Sequence, residues 1–160
     1  MKEIKLTRNK ITVVDDEDFE YLNQFKWYAL KDYSTFYAVR NIRLRKGKQI
    51  KIRMHRVILN TPKGMETDHI DRCGWNNQRA NLRICTTQEN AMNRNPHKNS
   101  SSKFKGVSWH KCAKKWRAQL KYKGEVIYLG CFLSERVAAL TYNNKAIEIF
   151  GEFAKLNEVS

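Results

Sequence analysis

An adjacent carboxylate and imidazole, Asp68 and His69, are followed by Asn81 twelve residues after the histidine and by Asn90 nine residues later. Carboxylate and amide oxygens are hard ligands that suit a divalent cation, and a neutral imidazole beside them can accept a proton from water. One metal ion and one general base are enough to hydrolyse a phosphodiester bond. These four residues are therefore the candidate catalytic group.

Local sequence signals place the four residues on a hairpin and a helix. A strand through residues 65–70 carries the Asp-His pair, and a polar loop separates it from a second strand over residues 81–85. Thr86 and Glu89 have the spacing of a capping box, which places Asn90 just inside a short helix that ends near the following Asn-Pro. The predicted order is strand, strand, helix.

The segment of residues 55–95, about a quarter of the chain, resembles the HNH endonuclease family. The match is to the H-N-N variety of phage and intron-borne homing endonucleases, whose third motif residue is asparagine. The resemblance implies a ββα-metal fold in which Asp68 and Asn90 hold one divalent metal, most simply magnesium, with manganese as a substitute. It also implies that His69 deprotonates the attacking water and that Asn81 ties the loop.

Four further residues surround this motif. His55 lies in the helix-like segment of residues 54–59, where it is either a packed core histidine or a residue near the substrate phosphate. Arg72, Arg79 and Arg83 flank the loop, and we expect them to contact phosphate, because guanidinium pairs bidentately with phosphate and stays charged.

Charge indicates a nucleic-acid partner. The chain has 31 Lys and Arg against 16 Asp and Glu, a formal net charge of +15 on 160 residues, and each third of the chain has a positive excess. No apolar run approaches the roughly 20 residues of a spanning helix, and the N-terminus lacks a signal-peptide core. We expect a soluble, cytoplasmic monomer, in the host cytoplasm if phage-encoded, that binds double-stranded DNA and neither membrane nor small-molecule substrate.

The cysteines are widely separated. Cys73, Cys85, Cys112 and Cys131 form no Cys-x-x-Cys pair of the kind that zinc ribbons use. Isolated thiols in a cytosolic chain are usually small buried hydrophobic residues. We therefore expect free thiols and no structural zinc.

Residues 1–50 predict a small α+β lobe continuous with the nuclease segment. A hairpin with its turn at residues 8–10 precedes one helix, and two strands follow around residues 27–30 and 36–44. The acidic run at residues 15–18 resembles a metal site only superficially. Carboxylates at a helix start are explained by capping and by the helix dipole.

A polar stretch predicts a linker over residues 96–102, between a nuclease of residues 51–95 and a module of residues 103–160. The module reads as a three-stranded antiparallel sheet packed on one helix, with a hairpin turn at Lys123-Gly124 and a helix cap at Ser134. Six apolar helix residues are expected to cover the sheet: Val137, Ala138, Leu140, Ala146, Ile149 and Phe150.

Residues 103–157 resemble the ethylene-response-factor (Apetala-two) DNA-binding domain, in which the sheet lies in the DNA major groove. Ser108 and Val126 stand where plant domains usually have arginine, so the plant target sequence does not carry over. Independently of this resemblance, the period of two along the second strand predicts that Trp116, Ala118 and Leu120 pack inward. The residues expected to face DNA are Lys105, Ser108, His110, Lys115, Arg117, Gln119, Lys121 and Tyr128.

The sequence thus predicts an α+β protein: a small N-terminal lobe, a ββα-metal nuclease and a C-terminal DNA-binding sheet. The predicted function is sequence-directed, metal-dependent DNA cleavage of homing type, with nicking by a monomer that has one active site. One alternative is a DNA-binding regulator with an inactive nuclease core. A second is an RNA-binding protein that stacks bases on Trp109, Trp116 and Tyr128, although these aromatics are more simply explained as core.

Overall fold

The computed structural model describes residues 1–32, 35–96 and 100–159. Within these residues the chain is α+β, with ten strands in four antiparallel sheets and four α-helices. It divides into two compact units, Met1–Asn90 and Ala91–Ser160. The predicted linker of residues 96–102 includes residues 97–99, which lie outside the described residues. None of the helices in the described ranges is both long and apolar enough to span a bilayer.

The first unit opens with a hairpin and a helix, as predicted. Strands β1 (Lys2–Lys5) and β2 (Ile11–Val14) pair antiparallel, and helix α1 (Asp16–Leu22) follows. Arg8 and Asn9 adopt φ values of 60° and 53° at the turn between the strands. Two successive left-handed residues match the right-handed twist of a hairpin, which explains how so short a connection closes.

A three-stranded sheet comes next, in the order β3 (Tyr28–Asp32), β4 (Thr35–Arg43), β5 (Gln49–Arg53). The first two strands agree with prediction, but β5 was not predicted, because its short Gln-Ile-Lys-Ile-Arg sequence sits in a charged stretch. It is an edge strand paired only with β4 in this sheet. Helix α2 (Met54–Ile58) follows β5 directly.

The candidate catalytic residues lie on β6 (Glu66–His69), β7 (Leu82–Cys85) and α3 (Thr87–Met92), in the predicted order of strand, strand, helix. The capping box forms as expected. Thr86 N donates to Glu89 Oε2 at 2.7 Å, and Glu89 N donates to Thr86 Oγ1 at 3.2 Å. This backbone hydrogen bond from Thr86 holds the pKa of Glu89 below its ordinary value.

One hydrophobic core joins β1 to β4, α1, α2 and β7. Leu22 of α1, Trp27, Ala38 of β4, Met54 of α2 and Leu82 of β7 are buried in the same cluster. The indole of Trp27 also donates to Leu22 O at 2.8 Å. Residues 1–50 and the nuclease hairpin therefore share their core.

The acidic run at the start of α1 does not cap the helix as expected. Asp15 is the N-cap residue, but its side chain makes no capping hydrogen bond. Its Oδ2 instead accepts from Arg79 N at 2.7 Å, and Asp18 Oδ2 accepts from Arg79 Nε at 2.9 Å. The capping interpretation is wrong because a 3-10 turn, Arg79–Asn81, offers donors to these carboxylates.

The second unit contains the predicted three strands and helix. Strands β8 (Val107–His110), β9 (Lys115–Tyr122) and β10 (Glu125–Phe132) form a sheet in the order β10-β9-β8, and α4 (Glu135–Phe150) follows. Lys123 and Gly124 have φ values of 49° and 88°, as a tight hairpin requires. Ser134 Oγ accepts from Val137 N at 3.5 Å and caps the helix.

The predicted inner face of α4 is partly wrong. Val137 and Leu140 are 47% and 49% exposed. The buried residues of α4 are Ala138, Ala139, Tyr142, Ala146 and Phe150. Small alanines let the helix approach the sheet closely, so large apolar residues one position away turn to solvent.

All four cysteines have free thiols. Cys85 is buried in β7, as expected of an isolated thiol, and Cys73 and Cys131 are half-buried. Cys112 is exposed in the turn between β8 and β9, which contradicts the expectation that the thiols are core residues.

Candidate active site

Asp68 is paired across the hairpin. The β6–β7 register sets it directly opposite Arg83, whose Nε and Nη2 donate to Asp68 Oδ2 at 3.0 and 2.7 Å. The two side chains are only 7% and 12% exposed. A buried carboxylate needs such a partner, so Arg83 holds Asp68 rather than standing at the surface as a simple phosphate contact.

A hydrogen-bond chain fixes the tautomer of His69. Thr12 Oγ1 lies 2.8 Å from Trp75 O and 2.6 Å from Asn77 Nδ2. Because Trp75 O can only accept, the single hydroxyl proton goes to it, and Thr12 accepts from the Asn77 amide. Asn77 Oδ1 therefore faces His69 Nε2, 3.2 Å away, and accepts its proton. The basic lone pair of His69 is then on Nδ1.

His69 is held in its neutral form. It is 4% exposed, and burial lowers the pKa of its imidazole below the ordinary value. The hydrogen bond to Asn77 and the carboxylates of Asp71 and Asp68 act in the opposite direction but do not reverse the shift. A neutral imidazole with a defined lone pair is the form that a general base requires.

His55 packs against His69 in the core. Their ring centroids are 4.9 Å apart at an interplanar angle of 90°, and Tyr37 contacts both rings, at 5.3 and 5.7 Å. Burial, followed by the proximity of His69, lowers the pKa of His55 to about 2. Of the two interpretations of His55, this geometry is that of a packed neutral histidine beside the candidate base.

Asn90 reaches back to β6. Its Nδ2 donates to Glu66 Oε2, and Thr87 Oγ1 donates to Glu66 Oε1 at 2.9 Å. Glu66 and Asp68 are two residues apart on a strand and so share one of its faces, whereas His69 points to the other. The candidate metal ligands therefore lie on one side of the hairpin, and the candidate base His69 lies on the other.

The oxygen atoms on this side suit a hard divalent cation. Asp68, Glu66 and Asn90 supply carboxylate and amide oxygens, which magnesium prefers to nitrogen or sulfur. No group of three or more His, Cys, Asp or Glu side chains is placed to hold a metal within residues 1–32, 35–96 and 100–159. A magnesium site with one or two carboxylates, an amide, water and substrate phosphate is compatible with this arrangement.

Sequence reasoning missed Glu66 and Asn77. Glu66 could have been found from the period of two that relates it to Asp68. Asn77 had no comparable signal, because an asparagine in a polar loop is typical of turns.

Asn81 ties the loop between the strands. Its Oδ1 accepts from Asp71 N at 3.0 Å, and its Nδ2 donates to Asp71 Oδ1 at 2.9 Å and to Asn76 O at 2.8 Å. Burial alone would raise the pKa of Asp71, but hydrogen bonds from Cys73, Asn76 and Asn81 outweigh it and lower the pKa. Asn81 thereby fixes the chain directly after His69.

The other two loop arginines have different surroundings. Arg79 lies against α1, with Nε 2.6 Å from Glu17 Oε1 and Nη2 2.7 Å from Asp18 Oδ1. The hydrogen bond to Asp18 is the main cause of its raised pKa. Arg72 is exposed on the turn after β6, where its N–H donates to His69 O at 2.9 Å. Of the three arginines expected to contact phosphate, Arg79 and Arg83 therefore form ion pairs with acidic side chains, and Arg72 and Arg79 are exposed.

Comparison with known proteins identifies the family. A family model described as HNH endonuclease matches residues 60–92. An uncharacterized HNH endonuclease of Acanthamoeba polyphaga mimivirus is 31% identical over 151 residues, which cover 86% of this chain and 70% of the viral protein. The chain belongs to the HNH endonuclease family. Protein 3.8 of Escherichia phage T7 is 33% identical over 94 residues, 59% of this chain and 77% of the phage protein. No solved structure matches significantly.

The second unit of this HNH endonuclease has an open polar sheet face. Between β8 and β9, Ser108 pairs with Arg117 and His110 with Lys115. Between β9 and β10, Gln119 pairs with Tyr128 and Lys121 with Val126. Residues directly opposite share a face. The opposite face is buried at Ala118 and Leu120, so the predicted faces of β9 are confirmed for these residues.

Three residues of this HNH endonuclease depart from expectation. Lys105 precedes β8, and its Nζ donates to Met92 O instead of extending from the open face. Trp109 and Tyr128 are 40% and 61% exposed, so the interpretation of these aromatics as core residues is wrong, whereas the exposure of Tyr128 agrees with its predicted place on the open sheet face. The register shifts between Tyr128 and Gly130, and this bulge interrupts the outer strand.

Proposed function

We propose that this HNH endonuclease is a homing-type, sequence-directed DNA nuclease that hydrolyses phosphodiester bonds with one divalent cation, most simply magnesium. The observation that carries the proposal is the hydrogen-bond chain from Thr12 through Asn77 to His69. It leaves the lone pair of a buried neutral histidine on Nδ1, while the Asp68 carboxylate, one residue earlier, lies on the opposite side of the strand. A general base of defined tautomer is the central requirement for activating water.

In this mechanism His69 Nδ1 accepts a proton from the water that attacks phosphorus, and Asn77 Oδ1 stabilises the resulting imidazolium through Nε2–H. Asp68 and Asn90 would hold the divalent cation, and Glu66 accepts a hydrogen bond from the Asn90 amide. When bound, the cation stabilises the negative charge that develops on the phosphate and leaving oxygens. Asn81 keeps the loop after His69 in place.

The C-terminal sheet is proposed to supply target preference. Its open face carries Lys115, Arg117, Gln119 and Lys121, which combine phosphate contacts with amide donors and acceptors suited to base edges. The order of three strands and a helix supports the resemblance to the ethylene-response-factor domain. With one active site per monomer, each binding event would nick one strand of duplex DNA.

A DNA-binding regulator with an inactive nuclease core is the second candidate. The observation that favours it is the buried Arg83–Asp68 pair, which puts a cation against the carboxylate that the metal would need. Under the nuclease proposal, Asp68 would bind the metal and keep its ion pair with Arg83.

A cleavage assay on supercoiled plasmid and random-library DNA separates the two candidates. The wild-type chain should nick DNA in the presence of magnesium or manganese, and cleavage should stop when EDTA chelates the metal. The His69→Ala variant should cut about 10²-fold more slowly, with DNA binding retained, because a positioned base contributes about that factor. Metal-independent cutting, or equal cutting by His69→Ala, would refute the assigned mechanism. DNA binding without cleavage under all conditions would support the regulator.

A further inference from the structure

Positive charge in the first unit is concentrated in one part of the sequence. Residues 1–25 contain four Lys and Arg and six Asp and Glu. Residues 26–65 contain eleven Lys and Arg and a single acidic residue, Asp32, a net charge of +10. This second segment includes β3, β4, β5 and α2.

The strand register gathers part of this charge on one face of the sheet. Asn41 pairs with Lys51, Arg43 with Gln49 and Val39 with Arg53. Residues directly opposite in an antiparallel pair share a face, so these side chains project the same way. The basic sheet face comprises Asn41, Arg43, Gln49, Lys51 and Arg53, all of them exposed. Alternation puts Ala38, a core residue, on the reverse side.

This face begins beside the candidate base. The Arg53 guanidinium lies 5.4 Å from the centroid of the Tyr37 ring, and that ring is 5.7 Å from the His69 ring. Tyr37 and Arg43 lie on the same side of β4, six residues apart. Val39, between them on this side, is fully buried. The exposed part of the face therefore runs along β5 from Gln49 to Arg53, roughly 13 Å at about 3.3 Å per residue, and a DNA duplex spans about four base pairs in that distance.

We propose that the basic sheet face binds the DNA duplex that flanks the scissile phosphate. Arg43, Lys51 and Arg53 contact phosphates, while the amides of Asn41 and Gln49 lie between them with donors and acceptors for base edges. This assignment rests on the proposed nuclease function. Arg53 also lies 3.6 Å from Asp32, but both side chains are partly exposed, and such a surface pair yields readily to phosphate.

The test measures duplex binding in EDTA as a function of salt concentration, so that it does not depend on cleavage. The double variant Arg43→Gln/Lys51→Gln of the full chain should lower the slope of log K against log salt by about 1.8, since each phosphate contact contributes about 0.9. At 0.1 M salt, relative to 1 M, the same relation corresponds to about 60-fold weaker binding. Lys31→Gln is the matched control, because Lys31 is exposed on the same sheet but pairs with Phe36 on the other face.

The variant Arg43→Lys/Lys51→Arg changes the same two positions but keeps both positive charges, so it should keep the wild-type slope. This control shows that a lower slope in the Gln double variant comes from lost charge and not from misfolding. An unchanged slope in the Gln double variant, or an equal change with Lys31→Gln, would overturn the proposal. So would a slope change seen with single-stranded RNA but not with duplex DNA. If the double variant shows the expected loss but the wild-type chain never cuts DNA with magnesium, the surface assignment stands and the proposed nuclease activity fails.

Discussion

Replacing Asn77 by leucine tests whether the histidine tautomer matters. The leucine side chain has similar volume but removes the acceptor for His69 Nε2–H and the donor to Thr12 Oγ1. A neutral hydrogen bond contributes about 0.5–1.5 kcal/mol, so the tautomer with its lone pair on Nδ1 loses up to about tenfold in population. The rate of DNA nicking should fall by about that factor. The buried donor left unpaired on His69 should cost a further 1–3 kcal/mol or so of folding stability.

The assay is single-turnover nicking of supercoiled DNA with magnesium, with duplex binding measured in parallel. Binding should stay within about twofold of wild type, because Asn77 is fully buried. Asn77→Asp keeps an acceptor for His69 Nε2–H and should recover most of the rate. Thermal melts show whether each variant is folded at the assay temperature. A folded Asn77→Leu protein that nicks at the wild-type rate would refute the role given to this hydrogen-bond chain.

Three further predictions concern stability and DNA binding. Arg83→Ala should destabilise the chain by about 3–5 kcal/mol in urea unfolding, because it leaves Asp68 buried without its partner; a loss below about 1 kcal/mol would mean that water replaces the guanidinium. The pKa of His55 is about 2 in the fold against 6.5 when unfolded, so the unfolded state binds the extra proton and stability should fall by up to about 1.4 kcal/mol per pH unit below 6.5. His55→Phe should remove that slope, and an identical slope in this variant would assign it to other groups. Arg117→Ala should weaken specific DNA binding by about 1–3 kcal/mol without lowering the melting temperature, whereas Leu120→Ala should cost about 2–5 kcal/mol of stability; the reverse pattern would mean that the two sheet faces are exchanged.

Local signals predicted the local structure well. The turn at Lys123-Gly124, the Ser134 cap and the Thr86–Glu89 capping box all formed as the sequence indicates. Each depends on residues within a few positions of one another, so its physics is contained in the local sequence. The inward face of β9 also followed from alternation, because a period of two leaves no ambiguity once one residue is known to be buried.

Features set by distant residues were not predictable in the same way. The apolar residues of α4 surround much of the helix, and only contact with the sheet decides that Ala138 and Ala146 face inward while Leu140 does not. We expected Arg79 to contact phosphate, whereas it pairs with Asp18. That partner is 61 residues away in sequence, so no local pattern indicated it. Asp68 and Arg83 likewise become partners only through the hairpin register.

The candidate base is positioned by residues of the N-terminal hairpin. Val13 N donates to Trp75 O at 2.9 Å, and Asn77 N donates to Val13 O at 2.8 Å, so the loop after His69 is joined to β2 by backbone hydrogen bonds. Thr12, on the same strand, orients the Asn77 amide across 65 residues of sequence. A fragment limited to residues 51–95 would contain the whole HNH motif but would lack the strand that fixes the tautomer of its histidine. The motif contains the candidate reactive groups, and β2 orients the candidate base through Asn77.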